Sequence, residues 1–116
     1  MFEIKVIKEP IKLEEVMEIA KNGYGDMVKA VVDVEQEILA IGSELHVDAE
    51  SNLIEEKDSK REYCWGINIY PTKTGEEFIE FDSMVNIKPG FGNRSRGVEN
   101  KEIQEKIREI VSKLIK

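Results

Sequence analysis

The sequence predicts an α+β fold of two layers: a mostly antiparallel sheet of four to five strands, covered by an N-terminal and a C-terminal amphipathic helix. Three observations carry this reading. The last segment, "NKEIQEKIREIVSKLIK", places Ile103, Ile107, Ile110, Val111 and Leu114 on one helical face. "PIKLEEVMEIAKNG" does the same with Leu13, Val16, Met17 and Ala20. Between them the chain is dense in β-branched residues, and "YCWGINIYP" and "EFIEFDSMVNIKP" alternate around a "TKTGE" turn. With 116 residues and 41% hydrophobic content, residues 1–116 read as a single domain.

Each element has its own signal. "FEIKVI" alternates Phe2, Ile4 and Val6 against Glu3 and Lys5, a short half-buried strand. A helix follows over about 10–22, with Pro10 in its first turn and Gly23 at its stop. The valines and isoleucines of "MVKAVVDVEQEILAIG" favour two strands, near Val28–Val34 and Glu37–Ile41, although Glu35-Gln36 is poor chemistry for a tight turn.

"SELHVDAESNLIEE" fits two periods. As a strand, Leu45, Val47 and Ala49 alternate with His46, Asp48 and Glu50. As a third helix near 44–55, Ser43 caps it and Leu45, Ala49 and Leu53 form a stripe. Its length and the Leu53-Ile54 pair favour the helix. The mixed charges of Glu55 to Glu62 suit a solvated connection. In the hairpin, Asn68 falls opposite Glu80 and Gly66 opposite Asp82, with Tyr70 and Asn86 on the same polar face. Gly66 inside a strand marks a bulge or a close approach by another group. Asn100 caps the last helix, and Glu102–Lys106 and Glu109–Lys113 are i,i+4 pairs along it.

Composition excludes several function classes. The net charge is −7 and the pI about 4.9, which argues against general nucleic-acid binding, since that depends on neutralising phosphates. No apolar run approaches the length of a membrane helix, and the N-terminus lacks a signal-peptide pattern, so a cytoplasmic location with no membrane association is expected. Cys64 stands alone and reads as a small buried residue. No cofactor signature occurs, and no cofactor is expected.

The segments "VVDVE", "AIGSELHVDAE", "WGINIYP", "IEFDSMVNIKP", "GNRS" and "IREIV" resemble a small prokaryotic family known only as a domain of unknown function. The resemblance spans about Val31 to the C-terminus. It implies one intact domain and no particular activity. One departure is the "EKDSK" of Glu56 to Lys60, where that family has a glycine-containing turn.

Three constellations are candidates for chemistry. In "NIKPGFGNRSRGV" an acidic chain gathers Lys88, Arg94 and Arg96 with three glycines and no acid. Lys88, Asn93, Arg94, Ser95 and Arg96 are the candidate anion-binding residues, since glycines let backbone N–H groups approach a ligand and arginines clamp carboxylates or phosphates. The spacing is not that of a P-loop, and Glu99 sits where an anion would bind. The same arginines could instead pin the loop to Glu80 or Asp82. The second constellation is Glu44, His46, Asp48 and Glu50, all possible metal ligands; the lone histidine and the absence of H-E-x-x-H leave a solvated acidic face as the plainer reading. The third is the polar hairpin face, where Glu80 and Asp82 could work as a paired acid–base system, with His46 as another weak catalytic candidate.

Two functional classes remain open. One is a binding or interaction module that uses loop 88–97 to meet a protein partner, another copy of itself or a small anion. The other is a small enzyme or metal-dependent protein whose acidic site, at Glu80, Asp82 or the His46 cluster, faces that loop. The absence of a strong nucleophile or cofactor signature favours the module and leaves catalysis uncertain.

Overall fold

A computed structural model describes residues 2–116. Five strands form one antiparallel sheet: β1 (Lys5–Ile7), β2 (Val28–Asp33), β3 (Ile38–Ser43), β4 (Cys64–Ile69) and β5 (Ile79–Glu80). Their order is β1-β3-β2-β4-β5. Three helices pack on the sheet: α1 (Leu13–Lys21), α2 (His46–Lys57) and α3 (Lys101–Leu114).

Alternation along the strands divides the interior into two clusters. Val28, Ala30 and Val32 of β2, Leu39 and Ile41 of β3, and Trp65, Ile67 and Ile69 of β4 face one way, against α1 and α3. Val31, Ile38, Ala40 and Cys64 face the other way, against Ala49 and Leu53 of α2. The segment near 44–55 is thus a helix, and it covers the sheet face opposite the two terminal helices. On α3, Ile107, Ile110, Val111 and Leu114 are buried. At about 1.5–3 kcal/mol each, these four side chains contribute roughly 6–12 kcal/mol before conformational entropy is charged against them.

The N-terminal strand is shorter than its alternation predicts and buries Ile7; Ile4 is exposed and Val6 only half-buried. β1 is an edge strand, and its three residues all pair with β3. α1 begins at Leu13, after Pro10, and Asn22 closes it. α2 begins at His46, so Ser43 is no cap. It ends β3, buried. The buried stripe is His46, Ala49, Glu50 and Leu53, which leaves Leu45 in solvent.

The turn from β2 to β3 needs help from distant residues. Asp33 Oδ1 accepts from the N–H groups of Glu35 and Gln36, its Oδ2 accepts from Ser59 Oγ at 2.6 Å, and Glu37 adopts φ 58°. The Glu37 carboxylate then takes both Lys106 and Lys113 from α3, in place of the intrahelical pairs that spacing alone predicts. At the end of α2, Asp58 takes φ 54°, ψ 28°. That is the conformation a glycine supplies most cheaply at a helix end, so "EKDSK" turns the chain without one.

The hairpin departs most from expectation. β5 has two residues, with Asn68 opposite Glu80 and Ile69 opposite Ile79. The chain then leaves the sheet, so Gly66 does not meet Asp82. A 3₁₀ turn at Met84–Asn86 and another at Pro89–Phe91 carry it across the β4 edge on the α2 side.

Candidate functional site

Loop 83–99 is built around the part of β4 that β5 leaves unpaired. Gly66 points its N–H and C=O outward there. The Asn86 side chain takes both, Oδ1 accepting from Gly66 N–H at 2.7 Å and Nδ2 donating to Gly66 O at 2.9 Å. A carboxamide thus does what a neighbouring strand's peptide would do. Gly66 must be glycine for this approach, because a Cβ would lie 2.5 Å from Ser83 Cβ and Oγ. One residue pair further along, Lys88 Nζ donates to Cys64 O at 2.5 Å and Arg61 O at 2.7 Å, and sits 4.0 Å from the centre of the Trp65 ring. Lys88 is buried, and burial lowers its pKa.

Asn93 is the hub of the loop. Its Nδ2 donates toward the carbonyls of Asn86, Ser95 and Gly97, and its Oδ1 accepts from Glu99 N–H at 2.9 Å. The backbones of Lys88 and Asn93 close a tight ring around "PGFG". Glu99 folds back so that one carboxylate oxygen accepts from Arg94 N–H at 2.9 Å and Ser95 N–H at 2.8 Å. Those bonds, Arg94's first, hold the Glu99 carboxyl below its ordinary range. Arg96 Nε donates to Asp82 Oδ1 at 2.6 Å. The two adjacent backbone donors that suit an anion therefore already hold the chain's own carboxylate. Among the described residues, the Arg94 guanidinium is in no ion pair.

The polar hairpin face meets the start of α2. Asn68 Nδ2 donates to Glu80 Oε1 at 2.8 Å, and Tyr70 OH donates to the same oxygen at 3.1 Å. His46 is buried against β4, its Nε2 2.8 Å from Ile67 O. Burial lowers the His46 pKa, and Nε2 is the donor in this bond because Ile67 O can only accept. Asn68 and Asp82 lie near enough to work against that shift. The structure thus brings His46, Asn68, Glu80 and Asp82 to one side of the sheet.

The four acidic-segment residues are divided. Glu44 precedes α2, Asp48 faces solvent, and Glu50 is buried beside His46 on the inner stripe. Burial raises the Glu50 pKa, against the pull of Arg61 and Lys88. Among the described residues, no three His, Cys, Asp or Glu side chains are grouped to hold a metal. Cys64 is buried as read, with its thiol pushed up to about 12.

Sequence reasoning missed Asn86 as the β4 edge partner and Glu99 as the loop's internal ligand. Gly66 was the available signal for the first, since a strand glycine announces a close approach without naming who approaches.

The family described as protein of unknown function (DUF5674) matches residues 5–114. The chain belongs to that family. The DUF5674 match runs from the first residue of β1 to the last of α3, so it takes in the whole sheet, the three helices and the loop. No curated protein and no solved structure matches the chain. No helix among the described residues is long and apolar enough to cross a membrane.

Proposed function

We propose that this chain is a protein-interaction module, and that loop 88–97 is its recognition element. One observation carries the reading. Loop 88–97, braced within the 83–99 segment, spends polar groups on its own fold through Lys88 and Asn93, with Asn86 and Glu99 at its flanks, while Phe91 on it stays 60% exposed and Met84 just before it 68% exposed. Large apolar side chains on a braced loop reach a partner with little further ordering cost. Arg94, exposed and in no ion pair among the described residues, adds a guanidinium to the same loop, and aromatic and arginine side chains are the usual anchors of such interfaces. The partner that fits has an apolar pocket rimmed by carboxylates. A cytoplasmic location is part of this reading.

The alternative, a small enzyme with its acidic site at Glu80, Asp82 or His46, has the Asn68–Glu80–Tyr70 chain in its favour. His46, however, is buried and already bonded to a backbone carbonyl. A photo-crosslinking residue in place of Phe91, in living cells, tests the module. A discrete adduct is expected from position 91, and none from position 14 on α1. Its mass separates a second copy of this 13.3 kDa chain from another protein. Arg94→Glu should remove the adduct. Equal adducts from both positions, no adduct at all, or an adduct indifferent to Arg94→Glu would each refute it.

A further inference from the structure

A cavity of about 390 Å³ lies where the second half of α3, the start of α1 and the connection from β4 to β5 meet. That volume falls in the range of small-molecule sites, about 300–1,000 Å³. Its apolar wall is Leu13, Phe78, Ile79, Val111 and Ile115. Lys73, Arg108 and Lys116 also line it, and no Asp or Glu side chain does, in a chain whose net charge is −7. The neighbouring acids Glu76, Glu77 and Glu80 line an adjoining cleft with Tyr70, which shares Lys73 and Ile79 with this cavity.

Arg108, Val111, Ser112 and Ile115 stand at i, i+3, i+4 and i+7, a second stripe beside the core stripe of α3. Val111 and Ile115 in this stripe belong to the core, whereas Arg108 and Ser112 add a cation and a hydroxyl that packing on the sheet does not use. Arg108 is loosely held: its guanidinium lies 5.0 Å from the Phe81 ring, and its nearest carboxylate, Glu105, is 3.8 Å away. Lys73 lies 4.6 Å from the Tyr70 ring centre and is in no ion pair among the described residues.

We infer that this cavity binds a small carboxylate carrying an apolar chain or ring. The apolar part covers Phe78, Ile79 and Val111, and the carboxylate meets Arg108, whose fork can donate two N–H bonds to its oxygens. Lys73 and Lys116 add attraction for an anion and repel a cation of the same shape. The site shares no residue with loop 88–97 and does not depend on the interaction reading.

Isothermal titration of the intact chain with four probes tests this. Octanoate should bind saturably. Acetate, which lacks the tail, and octanol, which lacks the charge, should bind at least tenfold more weakly, and octylammonium should not bind. Arg108→Gln should weaken octanoate at least tenfold. Ser112→Trp, at an exposed helix position, should fill the cavity and abolish binding with the thermal melt unchanged. Should Arg108→Gln fail to fold, Lys73→Gln gives the same test of charge. Failure of octanoate to saturate, equal binding of octanol or octylammonium, or wild-type affinity in these variants would overturn the assignment.

Discussion

Removing the Asn86 side chain is the sharpest probe of how the sheet is closed. Asn86 is fully buried, and its amide is the partner of both Gly66 N–H and Gly66 C=O. Asn86→Ala leaves those two groups without a partner. Its third bond, to Arg96 O at 2.9 Å, matters less, because Ser83 N–H still reaches that carbonyl. An orphaned buried backbone group costs about 1–3 kcal/mol, so two cost about 2–6. Water entering the space left by the carboxamide pulls the figure toward the low end, to about 3 kcal/mol. With a urea m-value of about 1.5 kcal/mol/M, the denaturation midpoint falls by about 2 M. Amide exchange supplies the local reading: Gly66 N–H should lose protection beyond the global change. Asn86→Asp, which keeps the acceptor and loses the donors, should be no better at pH 7. A loss under about 1 kcal/mol in Asn86→Ala, with Gly66 still protected, would refute the reasoning.

Three other outcomes follow from the same geometry. Gly66→Ala should cost about 1–3 kcal/mol in urea denaturation through overpacking against Ser83, and Ser83→Gly in the same chain should restore part of it. Because the folded pKa of Glu99 lies below its unfolded value, its contribution is present above the ordinary carboxylate range and is lost as pH falls through the folded pKa; Glu99→Gln should therefore flatten the acid limb of the stability profile, and an unchanged limb would count against the Glu99 bonds. Cys64, pushed up to about 12, should resist iodoacetamide at pH 8 in the folded chain and react freely in urea; rapid alkylation of the native protein would contradict its burial.

What the sequence disclosed depended on how far apart the partners were. α3 and its Asn100 cap were legible because spacing and capping are local: Asn100 Oδ1 accepts from the N–H groups of Glu102 and Ile103. The pairing of Asn68 with Glu80 was legible from turn position. The third helix was open between two periods; Ala49 and Leu53 lie on its buried face as the stripe predicts, while Leu45, which precedes the helix, stays in solvent and His46 takes the buried place. The end of β5 at Glu80 was not legible, since "FIEFDSMVNI" keeps alternating past it. What halts the strand is Asn86 reaching a glycine twenty residues back. Glu37 shows the same limit, for its lysines come from α3 and local spacing offers them only Glu102 and Glu109.

A carboxamide can occupy a strand's place without offering a further strand's worth of backbone outward. Over Gly66 the ladder therefore stops dead at Asn86, and no second chain can lengthen it from there. The open edges that remain for sheet-to-sheet polymerisation are short: β5 exposes only Ile79–Glu80, and β1 only Lys5–Ile7, where the flanking charges of Glu3 and Lys8 discourage it.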